Sequence, residues 1–278
     1  MELNFRLIHE DIKPKGAVLL FHGLTGSPFE LKKYGQFLYN NGFDVYADCL
    51  PGHGEKFNEI YTVKYTDWLD FAYEQFSNLK QNYENVYVSG ICLGAVLALA
   101  LGIKFKDEAA GIICLSTTLF LDGWRLPWYS FLMPLGLTTI LRFYYNYPEC
   151  DPHGIKNEKT RNVVKKLLAK GDVGMNDFPM SAIYELIKLS KYIRKRLAEF
   201  NCPVLLVHSL EDDLTSQKSA QIVYKNITSS DKDLIILNDS YHMVLYDNEK
   251  EFVMNKALEF IKSHLKVENK EVLCSLQS

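Results

Sequence analysis

The chain has 278 residues, of which 47% are hydrophobic, and its formal net charge is -3. This length and apolar content are enough for one large α/β domain, or for a core domain that carries an insertion. The small net negative charge gives no electrostatic basis for nucleic-acid binding, so no nucleic-acid partner is expected.

The six cysteines are widely scattered and show no Cys-x-x-Cys or Cys/His spacing. Neither a disulfide framework nor a metal site is indicated, and we expect no metal or cofactor. The first residues, Met-Glu-Leu-Asn-Phe-Arg, include an acid and lack the apolar core of a secretory signal. We therefore expect a reducing, cytoplasmic setting, while the oligomeric state has no signature in the sequence.

Strand and helix patterns alternate through the first part of the chain. Strand-length runs occupy residues 5–10, 16–21, 43–47, 86–90 and 111–116, and helical spacing occupies residues 29–41, 66–83 and the stretch after 94. Continuous apolar runs of this length are typical of strands buried on both faces of a parallel sheet. Their order predicts an α/β fold with a doubly wound, mostly parallel sheet.

The alternation stops between residues 120 and 180, where aromatic residues crowd into an irregular stretch. We interpret residues 120–180 as a cap or lid, inserted between two parts of the core at 1–119 and 181–265. Prolines interrupt the apolar span at 126–141, which is shorter than the ~20 residues needed to cross a bilayer. Weak peripheral membrane contact through the cap is an alternative role.

Alternation resumes after the cap. Strands are predicted at 203–208 and 233–237, and helices at 183–200, 217–227 and 248–265. The tail at 266–278 has no periodicity and is expected to be disordered.

The stretch Val-Tyr-Val-Ser-Gly-Ile-Cys-Leu-Gly contains Cys92 between Gly90 and Gly94. A strand followed at once by a helix needs a very tight turn, in which a Cβ at either glycine would clash with backbone. Cys92 would then lie at the apex, near the positive end of the helix, where a thiol ionises more readily. The alternative is an inert cysteine packed at a strand end.

Three further loops come directly after predicted strands, and loops after parallel strands emerge along one edge of a sheet. These loops are His22-Gly23-Leu24-Thr25-Gly26, Glu211-Asp212-Asp213 and Ser240-Tyr241-His242. We therefore expect Cys92, the acidic pair and His242 to lie close together. Of the other histidines, His208 is expected in the core, and His9, His153 and His264 at the periphery.

With Gly52-His53-Gly54, these motifs resemble those of α/β-hydrolases, and most closely the small carboxylesterase and monoacylglycerol lipase branch. The resemblance implies a cap after the sixth-strand position and a covalent acyl-enzyme. It further implies roles for residues of this chain. Cys92 would be the nucleophile where the family usually has serine, His242 the base, Asp212 the acid with Asp213 as the alternative, and the Leu24 and Leu93 amides the oxyanion hole.

By the same resemblance, His22, Gly23, Gly90 and Gly94 would shape the site. The implied activity is hydrolysis of short- to medium-chain acyl esters or monoacylglycerol-like lipids. The cap aromatics Trp124, Trp128, Tyr129 and Phe131 are the candidate acyl pocket. Acyl transfer or thioester cleavage through Cys92 is an alternative, and so is a ligand-binding protein that has lost turnover.

Overall fold

The computed structural model describes residues 4–54, 59–126, 130, 136–169, 175 and 177–265. The main sheet in this part of the chain contains β1 (Phe5–Leu7), β2 (Ala17–Phe21), β3 (Asp44–Ala47), β4 (Val86–Ile91), β5 (Gly111–Leu115), β8 (Val204–Ser209) and β9 (Lys232–Leu237). Their order across the sheet is β1-β3-β2-β4-β5-β8-β9. β1 runs antiparallel to β3, and the other neighbours are parallel.

Helices cover both faces of this sheet. They are α1 (Lys32–Tyr39), α2 (Tyr65–Lys80), α3 (Leu93–Phe105), α5 (Met180–Arg194), α6 (Lys218–Asn226) and α7 (Lys250–Ser263). A further helix, α4 (Glu158–Ala169), lies in the segment between β5 and α5. One apolar cluster joins the sheet to α2, α3 and α5, and a second joins it to α1 and α7. The predicted doubly wound, mostly parallel α/β fold is confirmed.

The central helix α3 explains why the sequence after Cys92 is apolar throughout. Residues 93–103 of this helix are all buried, because α2 and α5 cover the sides that the sheet leaves open. A helix that is apolar all round is stable only in such an interior position. The strands beneath it, β2 and β4, are also buried along their whole length.

The segment between β5 and α5 contains a second, two-stranded sheet that the sequence did not predict. Its strands, β6 (Asn146–Pro148) and β7 (Asp177–Pro179), pair antiparallel. Each strand is three residues long and ends in proline, so no alternating pattern is present to detect. The segment follows β5, which is the fifth strand in chain order among the described residues. The family resemblance predicted the cap after the position that it numbers as the sixth strand, and β5 occupies that position.

No helix in the described part of the chain combines the length and the apolar character that crossing a bilayer requires.

We predict that Gly94→Ala destabilises the protein severely, whereas Gly136→Ala is tolerated. A Cβ at Gly94 would lie 2.1 Å from the carbonyl oxygen of Phe21, and neither backbone has room to move. At Gly136 no described atom lies within 4 Å of the added Cβ. Urea unfolding should show a loss of about 3 kcal/mol or more for Gly94→Ala, and a change within about 0.5 kcal/mol for the control. Equal stabilities would contradict the close contact.

Candidate active site

Cys92 lies at the turn between β4 and α3 with φ 57° and ψ -115°. A positive φ is uncommon for a residue with a Cβ and is often found at functional sites. The Cys92 N–H donates a hydrogen bond to the carbonyl of Leu115 over 3.0 Å, which fixes the turn to β5. A Cβ at Gly90 would lie 2.2 Å from the carbonyl carbon of Gly94, so this turn requires glycine there. The structure therefore holds Cys92 at a strained apex.

His242 and Asp212 form a buried pair in the loops after β9 and β8. The imidazole Nδ1 lies 2.8 Å from Asp212 Oδ2 and 3.1 Å from Oδ1. Asp212 Oδ1 also accepts the backbone N–H groups of Leu214 and Thr215, each over 2.9 Å. The carboxylate is therefore fixed on the loop while it orients the imidazole.

The pair is held in its charged form. Burial opposes charging of His242, but the Asp212 carboxylate and the adjacent Cys92 raise the pKa of the imidazole well above 6.5. Burial likewise opposes ionisation of Asp212, yet His242 and His208 keep the pKa of this carboxyl below its usual value. The arrangement stabilises an imidazolium next to Cys92.

Asp213 has a different environment from its neighbour. Its Oδ1 accepts the backbone N–H of His242 over a long 3.4 Å, and its Oδ2 lies 3.5 Å from Arg125 Nε. Burial raises the pKa of Asp213 despite the guanidinium of Arg125. Asp212 is thus the acid whose carboxylate contacts the imidazole ring.

Two buried histidines fix the loop after β2. His22 Nδ1 donates to the Gly23 carbonyl over 2.8 Å, and His22 Nε2 accepts the N–H of Leu50 over 3.0 Å. His53 Nε2 contacts the Leu24 carbonyl at 2.6 Å. Burial lowers the pKa of both rings, most strongly that of His22. This network holds the His22–Leu24 stretch in one conformation.

That loop lies directly against Cys92. A Cβ built on Gly23 would be 3.5 Å from Cys92 Cβ. Leu24 lines the pocket beside Cys92, and Leu93 is the first residue of α3. The two backbone amides predicted as an oxyanion hole therefore belong to the two segments that flank Cys92.

A mainly apolar pocket opens above Cys92 and His242. Its apolar lining includes Leu24, Phe29, Ile91, Ile155, Val164, Leu167, Met175, Phe178, Leu214, Met243 and Tyr246. Its charged or ionisable lining, apart from Cys92 and His242, consists of Glu30, Arg125, Glu149, His153 and Asp213. Residues from the segment between β5 and α5 thus form one side of the pocket.

Backbone hydrogen bonds tie this segment to both sides of the site. The Met175 N–H donates to the Thr25 carbonyl over 2.9 Å, next to the loop of His22. On the other side, the buried Asp247 carboxylate accepts the N–H groups of Lys156, Asn157 and Tyr241. The segment is therefore joined to the loops that carry Leu24 and His242.

Two sequence expectations about this segment are wrong. Trp124 does not line the pocket: it is 58% exposed and its indole N–H donates to the Glu211 carbonyl. The N–H groups of Gly123 and Arg125 bind the loop after β8, and of this stretch it is Arg125 that lines the pocket. His153, expected at the periphery, also lines the pocket. Trp128, Tyr129 and Phe131 lie outside the described residues.

Glu30 is a site residue that the sequence did not reveal. Its Oε1 accepts the N–H of Gly23, and its carboxyl packs against Gly26 in the same loop. Burial raises the pKa of Glu30 to about 7, although the Gly23 N–H and His242 act in the opposite direction. In the sequence, an acid in the first turn of a helix is ordinarily a partner for the helix dipole, so its position alone carried no signal.

A tight strand–turn–helix elbow with Cys92 at its apex after β4, an acid after β8 and a histidine after β9 form the arrangement that is typical of an α/β-hydrolase. The family model described as Hydrolase_4, serine aminopeptidase S33, matches residues 12–250, and the chain belongs to this family.

Named relatives align along almost their whole length. A thermostable monoacylglycerol lipase of Bacillus sp. (strain H-257) is 24% identical, covering 89% of this chain and 91% of its own. A carboxylesterase of Bacillus subtilis (strain 168) is 25% identical, covering 88% and 92%. The solved structure of a metagenome-derived lipolytic enzyme, from work on LipS and LipT, is 25% identical with a TM-score of 0.77, covering 91% of this chain and 96% of its own.

Glu30 should make stability depend on pH. Its pKa is about 7 in the folded chain against 4.5 for an ordinary glutamate carboxyl, so its contribution is complete below about 4.5 and is lost as pH rises through about 7. Glu30→Gln keeps an oxygen for the Gly23 N–H but does not titrate. Urea unfolding at several pH values should show the variant gaining up to about 3 kcal/mol on the parent between pH 5 and 8. Glu10→Gln, at an exposed carboxylate, controls for charge loss; a pH-independent difference for Glu30→Gln would refute the prediction.

Proposed function

We propose that this protein is a carboxylic-ester hydrolase that forms an acyl-enzyme on the sulfur of Cys92. The observation that carries the proposal is the buried Asp212–His242 pair beside a strained elbow cysteine, beneath an apolar pocket. The activity class is supported by relatives that are named monoacylglycerol lipase and carboxylesterase.

The proposed reaction begins from neutral His242 and the Cys92 thiol: the thiol proton moves to His242 Nε2, and this transfer forms the imidazolium that the raised pKa of His242 favours. The sulfur attacks the ester carbonyl, and the tetrahedral oxyanion is held by the N–H groups of Leu24 and Leu93, each worth roughly 3 kcal/mol in comparable sites. His242 then gives the proton to the departing alcohol, which leaves the acyl group on sulfur. A water molecule, deprotonated by His242, releases the acid and restores the thiol.

Asp212 orients His242 and stabilises its cation during both half-reactions. Cysteine suits this role because its thiolate is intrinsically more nucleophilic than a hydroxyl. The raised pKa of His242 supports its role as the group that receives the thiol proton.

The substrate class we propose is a short- to medium-chain acyl ester or a monoacylglycerol-like lipid. The apolar lining would receive the acyl chain, and residues 120–180 would act as the cap over it. The polar part of the lining would meet the alcohol: Arg125 Nε and Asp213 Oδ2 form an ion pair over 3.5 Å, but neither has a hydrogen-bond partner among the described residues. An uncharged, hydroxyl-bearing group would satisfy both.

Cys92→Ala should abolish turnover of p-nitrophenyl esters, with a loss of at least about 1000-fold in kcat/KM. Cys114→Ala is the matched control, because Cys114 is also buried but its Sγ contacts the Ala95 carbonyl in the core. Intact mass should detect an acyl adduct that resides on Cys92 and turns over in water. An adduct that is released only by an added alcohol or amine would show that the activity is acyl transfer and not hydrolysis. Lipid binding with neither turnover nor adduct would indicate a binding protein.

Asp212→Asn and Asp213→Asn separate the two acids. The first removes the carboxylate that contacts His242 Nδ1 and should lower kcat by about 1000-fold or more at neutral pH. The second leaves that contact intact, so we expect less than about a tenfold change in kcat. Steady-state kinetics on one p-nitrophenyl ester measure both, with thermal melting as the check on folding. A larger loss of kcat for Asp213→Asn than for Asp212→Asn would identify Asp213 as the acid that supports His242.

A further inference from the structure

The hydroxyl of Thr118 lies next to the nucleophile. Thr118 Oγ1 is 3.3 Å from Cys92 Sγ and 3.2 Å from the carbonyl oxygen of Ser116. A threonine hydroxyl has one proton, so it can donate to only one of these two acceptors at a time. Thr118 is 1% exposed and is not among the residues that line the pocket. It therefore reaches the sulfur from the protein interior.

The backbone around Thr118 is fixed on several sides. The Thr118 carbonyl accepts the hydroxyl of Ser190 in α5 over 3.0 Å, and the next N–H, of Leu119, donates to Ser219. Ser116 adopts a positive φ of 47°, and its hydroxyl donates to the His242 carbonyl over 2.6 Å. The turn at 116–118 thus contacts the loop of the base and the side chain of the nucleophile.

We propose that Thr118 is a further catalytic residue, whose hydroxyl stabilises the thiolate of Cys92. In the thiol form, Thr118 donates to the Ser116 carbonyl and the S–H of Cys92 points to His242 Nε2. When the S–H bond breaks and the proton forms an N–H bond on His242 Nε2, the Thr118 O–H rotates and donates to the sulfur. No other bond changes, and the proton count is conserved.

The physical basis is that a hydrogen bond to the charged form of a group favours that form. Among the described residues, the titratable groups on this side of the pocket include the imidazole of His242 beside Cys92 and the Glu30 carboxyl on the other side of Gly23, and Arg125, Glu149, His153 and Asp213 line the rest of it. The Thr118 hydroxyl contacts the sulfur directly. Unlike His242 and Glu30, Thr118 does not titrate in the physiological range. It offers the thiolate a hydrogen bond without adding charge to the site.

The test is the pH dependence of Cys92 alkylation by iodoacetamide, measured by peptide-resolved mass spectrometry. Thr118→Val keeps the side-chain shape but removes the donor, and should move the midpoint of the alkylation profile up by about one pH unit. Alkylation at neutral pH should slow by roughly tenfold. Thr118→Ser keeps the donor and should behave as the parent does. His242 and Glu30 are present in the parent and in every variant, so their titration affects all alkylation profiles alike. A difference between the profiles of the parent and a variant therefore reports on the side chain at position 118.

Thr117→Val is the matched control. Thr117 is also fully buried, but its hydroxyl interacts with the thiol of Cys114. An unchanged midpoint in folded Thr118→Val, or an equal shift in Thr117→Val, would overturn the proposal. If Thr118→Val does not fold, Thr118→Ala replaces it, with the same shift expected and the same two refuting outcomes.

This proposal rests on Cys92 being the nucleophile of the proposed function, but the readout involves no ester. A protein that shows the shift and hydrolyses no ester would refute hydrolysis and leave the role of Thr118 in place. A protein that hydrolyses esters but shows no shift would refute the role of Thr118 and leave the proposed hydrolysis in place.

Discussion

The site depends on one close backbone contact, between the end of β2 and the start of α3. Gly94 lies so near the Phe21 carbonyl that any larger residue would push strand and helix apart. Cys92 stands at the apex of the turn that this contact allows, and His22 begins the neighbouring loop one residue after Phe21. A single glycine therefore determines both the exposure of the sulfur and the distance of the loop that would bind the oxyanion.

Charge is distributed unevenly around this contact. The His242 side of the sulfur carries an ion pair whose carboxylate is satisfied by two backbone N–H groups. The His22 side is held by imidazoles whose pKa burial lowers and by the Glu30 carboxyl, whose pKa burial raises to about 7. Negative charge developing near the Gly23 loop therefore meets less repulsion than a fully ionised Glu30 would cause.

Hydrophobic periodicity and the spacing of glycines were sufficient to predict the framework of the site. The order of core strands, the elbow and the three loops at the sheet edge could be derived because buried parallel strands have continuous apolar runs. The sequence could not predict four other residues near the site, because their contacts depend on the directions of side chains in turns. These residues are Glu30, Thr118, Arg125 and His153. The error on Trp124 has the same origin: aromatic content indicates burial on average, but here the backbone of residues 123–125 is fixed to another loop. Asp212 and Asp213 were distinguishable in the sequence only through the family resemblance.

The hydrogen bonds from residues 156, 157 and 175 reach both catalytic loops. The segment between β5 and α5, which forms the roof of the pocket, is therefore hydrogen-bonded to the loops of Leu24 and His242 beneath it. A bulky ligand that lifted the roof as a rigid body would break backbone bonds to the loops of Leu24 and His242, and so would disturb the groups that act on it. Ligands that fit without lifting the roof leave that geometry intact, which couples the shape of a ligand to the rate at which it can react.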